Sequence, residues 1–436
     1  MSMLQGLCIW INAMVAKFCS EDRYRTIAEP RIVEMLLVQG WRYEVAAGRR
    51  AQAEAEAGEA LRHYGLPHVV HHGIRHFDPV EVHNFVRWAA IHLGDRVWAD
   101  HLVAEFRRQA WDSYPEQTDW SLPPKPDALG YRRYEATIQR SFNLRGRKTG
   151  ERLRLALPVV LGDRTLIKSR EIFLQPDGMC LEAISRPDRI EALLTMGEAS
   201  EIEIGVRFGF AAGLGLPGEA GTLSAADIEL YTRPSEGLIK ISDAVRHLSE
   251  KIGGDETAPL QILRRAWDYV FAHFLCGSIH YDRLDPAAPL DRAIAEGWID
   301  CQTGSALLVA LCRLKRIPAR LVTGYLIDRL APAPHTWFEV WTGDDGWLPF
   351  DLACWGLSLG GNDSAWRDFY FGYVERRMVV ERPPLLFSSL GSIRLRGAWQ
   401  MTTALSATGM SYQFESTETG DWIYRDHIAV KCKEER

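Results

Sequence analysis

The chain has 436 residues, 47% hydrophobic and 25% charged, which is apolar material for two or three domains and excludes a disordered or fibrous protein. Its 51 Lys and Arg against 57 Asp and Glu give a net charge of −6, so no global field draws in nucleic acid or an anionic bilayer. Eight cysteines (Cys8, Cys19, Cys180, Cys276, Cys301, Cys312, Cys354 and Cys432) are spread without a C-x-x-C pair or a dense framework. They read as free thiols in a reducing compartment, which leaves open whether one of them is a nucleophile.

The first twenty residues are apolar, but no Lys or Arg precedes the apolar run, Asn12 interrupts it, and no A-x-A-like site follows. The expected location is therefore cytoplasmic. No later stretch reaches the roughly 20 apolar residues needed to span a bilayer, so no integral membrane role is expected. Residues 21–113 read as helical: Arg49 to Arg62 suits a solvent-facing helix, and Asp78-Pro79-Val80-Glu81 has the composition of a helix cap. Between Tyr114 and Gly130 four prolines fix an extended path and mark a boundary. The expected division is a helical region over 1–125, an antiparallel β domain over 131–234 and a C-terminal core over 235–436.

From Tyr131 to about Tyr231, short alternating runs such as YEATIQRSF and EIEIGVRFGF are separated by Gly, Pro and Asp, the pattern of antiparallel strands. The basic hairpin at Arg145, Arg147 and Lys148 is weighed as an anion site and read as a solvated turn. Helical periodicity returns over about 239–251 and 257–275, where Leu260, Leu263, Ala266, Trp267, Val270, Phe271 and Phe274 form a broad apolar face.

The chemistry concentrates between Gly297 and Trp355. Residues 301–316 form a helix, with Ala306, Leu307, Ala310, Leu311 and Leu314 on its buried side and Pro318 after its end. Arg313, Lys315 and Arg316 fall near the carbonyl end, where cations are favoured. Cys301 falls in the first turn, where unpaired N–H groups and the helix dipole favour a thiolate. Asp300, the expected cap, opposes that effect, so an imidazolium partner is needed. HTWFEVW (335–341) and WLPFD (347–351) flank the loop TGDDG as a hairpin. If Trp341 faces Trp347 and Glu339 faces Pro349, His335 and Asp351 become diagonal neighbours on one sheet face. A slip of one residue would separate them. Nucleophile, base and orienting carboxylate then occur in the order Cys, His, Asp.

The segments GWIDCQTGSALLVALCRLKRIPARLVTGYL, HTWFEVW and GWLPFDLA resemble the signatures of the transglutaminase-like superfamily: a Cys opening a helix followed by I-P-A-R and a Gly-Tyr strand, then H-x-W-x-E, then W-x-x-x-D. The resemblance covers about 279–380, and much of 131–436 if the preceding helices and β domain are included, because many bacterial members carry a similar domain. It implies an α+β, papain-like core with the Cys helix on an antiparallel sheet, preceded by the β domain and the helical region. It implies Cys301 as nucleophile, His335 as general base and acid, and Asp351 as orienter. The Cys301 backbone N–H and the Trp298 indole are the candidate oxyanion donors, although no Gln stands upstream as in papain-type sites. Trp337 and Glu339 support the site, and Cys312 and Cys354 are structural.

The resemblance implies no cofactor and no metal. Eight histidines between His63 and His101 invite a zinc reading, strongest for His72 and His76 at i, i+4, but no matched carboxylate or Cys set accompanies them. The expected reaction is thioester formation on Cys301 and acyl transfer to an amine, with a peptide, a protein glutamine or a carrier-protein thioester as donor. The alternatives are a peptidase or amidase using water, and a non-catalytic binding protein on the same fold. The acidic loops of calcium-dependent animal crosslinkers are absent, and the oligomeric state stays open.

Overall fold

A computed structural model describes residues 27–30, 32–33, 48–77, 81–82, 85, 130–162, 165–176, 180–181, 189–214, 221–276, 279, 284–327, 333–343, 345–352, 368, 370–374, 377–382, 398–406, 409–416 and 421–433. The N-terminal twenty residues, the Asp78-Pro79 cap, the proline-rich boundary and Cys354 lie outside the described residues. Near the N-terminus, β1 (Ile27–Ala28) is followed by helix α1 (Arg50–Tyr64) and strands β2 (His68–His71) and β3 (Ile74–Phe77). Helix α1 buries Ala53, Ala57 and Leu61 and exposes most of its charged residues, as its composition predicts. Over 68–77 the helical expectation gives way to a hairpin. His72 and Gly73 take φ of 50° and 80°, the positive pair that a two-residue turn demands. His72 is thus in the turn and His76 pairs with Val69, so the two do not share a helical face.

The β region contributes β4 (Gly130–Asn143), β5 (Arg152–Pro158), β6 (Thr165–Leu174), β7 (Cys180–Leu181), β8 (Arg189–Thr195) and β9 (Glu201–Leu214), all paired antiparallel. Alternation sends Tyr134, Ala136 and Ile138 inward from β4 to meet Ile204, Val206, Phe208 and Phe210 of β9. Arg145, Arg147 and Lys148 are exposed, and Arg147 pairs with Glu151 at 3.1 Å, which is a solvated turn. The expected strand region ends in a helix, α2 (Ala225–Thr232), capped by the Ser224 hydroxyl, which accepts from the Asp227 N–H. Its Tyr231 packs edge-on against Trp347.

Then follow β10 (Ser235–Glu236), β11 (Ile239–Lys240), α3 (Asp243–Ile252), α4 (Pro259–His273), β12 (Leu275–Cys276), α5 (Asp291–Glu296), β13 (Trp298–Ile299) and α6 (Cys301–Leu314). Strands β14 (Ala319–Leu326), β15 (Ala333–Trp341), β16 (Trp347–Phe350) and β17 (Arg377–Glu381) form an antiparallel sheet in the order β16-β15-β14-β17. Helix α6 packs on β15 and β14, with α2, α3 and α4 around its other sides. It is therefore buried from Thr303 through Arg313 on every face, where the sequence pattern predicted a single stripe. Arg313 is a buried tie and not a solvated cation at the helix end: it donates to Glu236 at 2.8 Å and to the Ala319 and Arg233 carbonyls. The α4 face is buried as predicted, centred on Trp267. This is the papain-like arrangement of a Cys-bearing helix on an antiparallel sheet.

The last strands, β18 (Ala398–Ser406), β19 (Gly409–Ser416) and β20 (Trp422–Lys433), were expected within the 235–436 core. They instead extend the β4 sheet, in the order β18-β19-β20-β4-β9-β6. The physical reason is the second edge of the long strand β4, which β20 pairs from Arg133 to Phe142. Across this pair the buried Arg140 makes a two-pronged contact with Asp426 at 2.6 and 2.7 Å. The two halves also share one apolar cluster, since Tyr325, Ile327, Met378 and Val380 pack with Ile138, Phe208 and Ile428. Among the described residues, no helix is long and apolar enough to cross a membrane.

Candidate active site

Asp300 starts α6 sharply. Its Oδ1 accepts from the N–H groups of Gln302 at 3.0 Å and Thr303 at 2.8 Å, while the Thr303 hydroxyl accepts from the Asp300 N–H at 3.0 Å. This reciprocal cap places Cys301 at the first helical position, half-buried. Cys312 is on the same helix but fully enclosed, and burial pushes its thiol up to about 12. Cys432 is exposed on β20.

The hairpin register is the one that strand parity predicts, with Trp341 opposite Trp347 and Glu339 opposite Pro349. The loop closes through Thr342 N–H to Gly346 O at 3.0 Å, with positive φ at Gly343 and Gly346. Asp351 follows the last ladder residue, and the structure brings it to 2.8 Å from His335 Nε2 through Oδ1. His335 is 6% and Asp351 0% exposed. With Nε2 directed at the carboxylate, Nδ1 is the ring nitrogen left for proton exchange with a nucleophile. The helix is anchored to this strand one turn past Cys301, where the Ser305 hydroxyl donates to the carbonyl of Thr336, the neighbour of His335. Gly304 permits a close approach: a Cβ there would lie 2.8 Å from Leu352, the neighbour of Asp351. Both contacts draw the Cys301 end of α6 toward residues adjoining the His-Asp pair.

Trp298 on β13 is half-buried three residues before Cys301. Trp337 is 1% exposed and stacks near His335, with centroids 6.2 Å apart. Among the described residues its indole N–H has no hydrogen-bond partner. Glu339 is fully buried and is held by Arg320 at 2.7 and 2.8 Å, with Arg382 at 3.5 Å. Burial alone would lower the Arg320 guanidinium, but Glu339 beside it reverses the direction and holds it above its usual range. Arg320 also lies over the Trp347 ring at 4.1 Å. Sequence reasoning missed Arg377, whose Nη2 is 2.5 Å from Asp351 Oδ2. Arg377 belongs to a strand separated from Asp351 by 25 intervening residues, and no local signal couples them.

Among the described residues no cluster of three His, Cys, Asp or Glu side chains is placed to hold a metal ion. Residues 246–352 match the model of the transglutaminase-like superfamily, a span that takes in Cys301, His335 and Asp351. Similar solved structures include a protein from Cytophaga hutchinsonii provisionally described as a cysteine protease, at 15% identity over 69% of this chain and 98% of that one, with TM-score 0.43. Another is the periplasmic domain of TgpA from Pseudomonas aeruginosa, at 14% identity over 55% of this chain and 85% of that one, with TM-score 0.30. No curated protein matches the chain. The span 246–352, with Cys301, His335 and Asp351 inside it, is thus similar to the transglutaminase-like superfamily, as the three sequence signatures imply.

Proposed function

We propose that the chain is a Cys-His-Asp acyltransferase that forms a thioester on Cys301 and passes the acyl group to an amine. The observation that carries this reading is the buried 2.8 Å pair of His335 Nε2 and Asp351, formed next to the strand position where Ser305 ties the Cys301 helix down. In the first half-reaction, His335 Nδ1 takes the Cys301 proton and the thiolate attacks the acyl carbonyl. The Cys301 backbone N–H and the Trp298 indole are the proposed donors to the oxyanion. Collapse expels the leaving amine or thiol with the imidazolium proton and leaves the thioester. In the second half-reaction an amine gives a proton to His335 and attacks the thioester, and the returning proton restores the Cys301 thiol.

Asp351 stabilises the imidazolium formed in both halves and fixes the ring orientation. Trp337 shields that pair on the same sheet face, and Glu339 braces the strand through Arg320. The proposed partners are an acyl donor of peptide, protein-glutamine or carrier-protein thioester type and an amine acceptor. Water in place of the amine gives a peptidase or amidase with the same groups, because the outcome depends on whether the cleft holds an amine and excludes water. The test incubates the protein with peptides and thioesters, with and without amines, and measures intact mass and products. An adduct on Cys301 that converts to amide when amine is added is the expected result. Conversion to free acid at the same rate with and without amine favours the hydrolase. No adduct with any donor, together with unchanged turnover in Cys301→Ala, overturns the assignment.

A further inference from the structure

We infer that Arg377 is a positioning residue of this site, which keeps Asp351 ionised and in one rotamer while His335 changes its charge. The inference rests on the Cys-His-Asp reading. Asp351 is fully buried, and its two oxygens divide their partners: Oδ1 faces His335 Nε2 at 2.8 Å and Oδ2 faces Arg377 Nη2 at 2.5 Å. A buried carboxylate needs a compensating charge or it takes up a proton. His335 supplies that charge only while it is an imidazolium, and through the cycle it alternates with the neutral form. Arg377 is charged throughout. With one oxygen held by each partner, the carboxylate cannot rotate away when His335 gives up its proton.

Two aromatic rings flank Arg377 in its buried position. Its guanidinium lies 5.9 Å from both the Trp337 and Tyr370 ring centres, and the Tyr370 carbonyl accepts from the Asp351 N–H at 3.4 Å. The next residues along β17 belong to the other half of the molecule. Met378 and Val380 pack into the apolar cluster of the β region, and the Val379 carbonyl accepts from the Leu161 N–H at 2.8 Å. The β region thereby seats the strand that holds Arg377, Arg377 holds Asp351, and Asp351 orients His335. This gives the β region a part in the chemistry.

On the same sheet, Glu339 of β15 is matched by Arg320 of β14 and by Arg382, which follows β17. Asp300 caps the start of α6, where Cys301 stands, and the Tyr370 ring centre lies 5.9 Å from the Arg377 guanidinium.

The experiment measures the rate of Cys301 alkylation by iodoacetamide against pH in the full chain. It compares wild type, Arg377→Met, Arg377→Lys and His335→Ala, with thermal unfolding of each recorded in parallel. Removing a cation raises the pH at which neighbouring groups lose their protons. The Arg377→Met profile should therefore move to higher pH by about one unit or more, with a rate at pH 7 reduced about tenfold. Arg377→Lys keeps the charge but not the fork, and should return the profile to its wild-type position with a lower plateau. A purely structural Arg377 would lower the melting temperature and leave the profile in place, which overturns the inference. If the Met variant does not fold, Arg377→Gln, which keeps a donor and much of the volume, carries the same expectation. A distinct result marks failure of the underlying reading: Cys301 reacting no faster than Cys432 in wild type, and unchanged in His335→Ala, removes the triad and this inference with it.

Discussion

Cys301 and Cys312 occupy one helix, and their environments set them apart. Cys301 stands at the first position beside a half-open end, whereas Cys312 is enclosed and its thiol is pushed up to about 12. At pH 7 its thiolate fraction is then on the order of one in 10⁵. Peptide mapping after brief iodoacetamide treatment should find Cys301 modified first, Cys432 at the rate of an ordinary exposed thiol, and Cys312 only after denaturation. Glu339 invites a second test at this scale. Its removal in Glu339→Ala strands the buried Arg320, and breaking a buried pair from one side costs about 3–5 kcal/mol. Urea unfolding should show that loss as a lowered midpoint, and an unchanged midpoint would mean that Arg320 finds another acceptor. The placement of these candidate side chains was legible in the sequence, because each follows from a local rule: a capped helix start for Cys301 and strand parity for His335 and Asp351. The ion-pair partners of Asp351 and Glu339 were not legible, because Arg377 and Arg320 reach them across strands.

At the scale of elements, β14 shows why its Gly-Tyr pair is used. Gly324 stands opposite His335, and a Cβ there would collide with the Met378 carbonyl of β17 and lie 3.1 Å from the Trp337 ring. The glycine lets β17 approach closely enough for Arg377 to reach Asp351. Gly324→Ala should therefore cost about 1–3 kcal/mol through overpacking, and should slow Cys301 alkylation because it moves both neighbours of the His-Asp pair. Normal alkylation in a destabilised variant would separate the strand spacing from the site. Helix α6 and the β15-β16 hairpin were read correctly from the sequence, since caps and two-residue periodicity are local. The β2-β3 hairpin departs from the helical pattern expected over 21–113. Its signal was the His72-Gly73 turn between Val69-Val70 and Ile74, which the alanine-rich stretch before it outweighed.

For the whole molecule, the chain returns at its end to the sheet that it began at β4. The Arg140–Asp426 pair, separated by 286 residues, locks that closure inside the core, where burial opposes the Arg140 charge and Asp426 more than restores it. Asp426→Ala should lower stability by about 3–5 kcal/mol in denaturant titrations, since it leaves a buried guanidinium without its carboxylate. A fragment of residues 235–436 made alone carries β20 without β4, and should fail to give a cooperative unfolding transition. The sequence by itself determined the composition limits, the Cys helix, the hairpin register and the family signatures, because these depend on residues close together in the chain. Only the tertiary structure decided the closure of β20 on β4, the all-round burial of α6 and the Arg377–Asp351 contact. Such pairings depend on which distant strand edges and buried charges meet, and the cost of closing the intervening loop is the same for many partners that local sequence cannot tell apart.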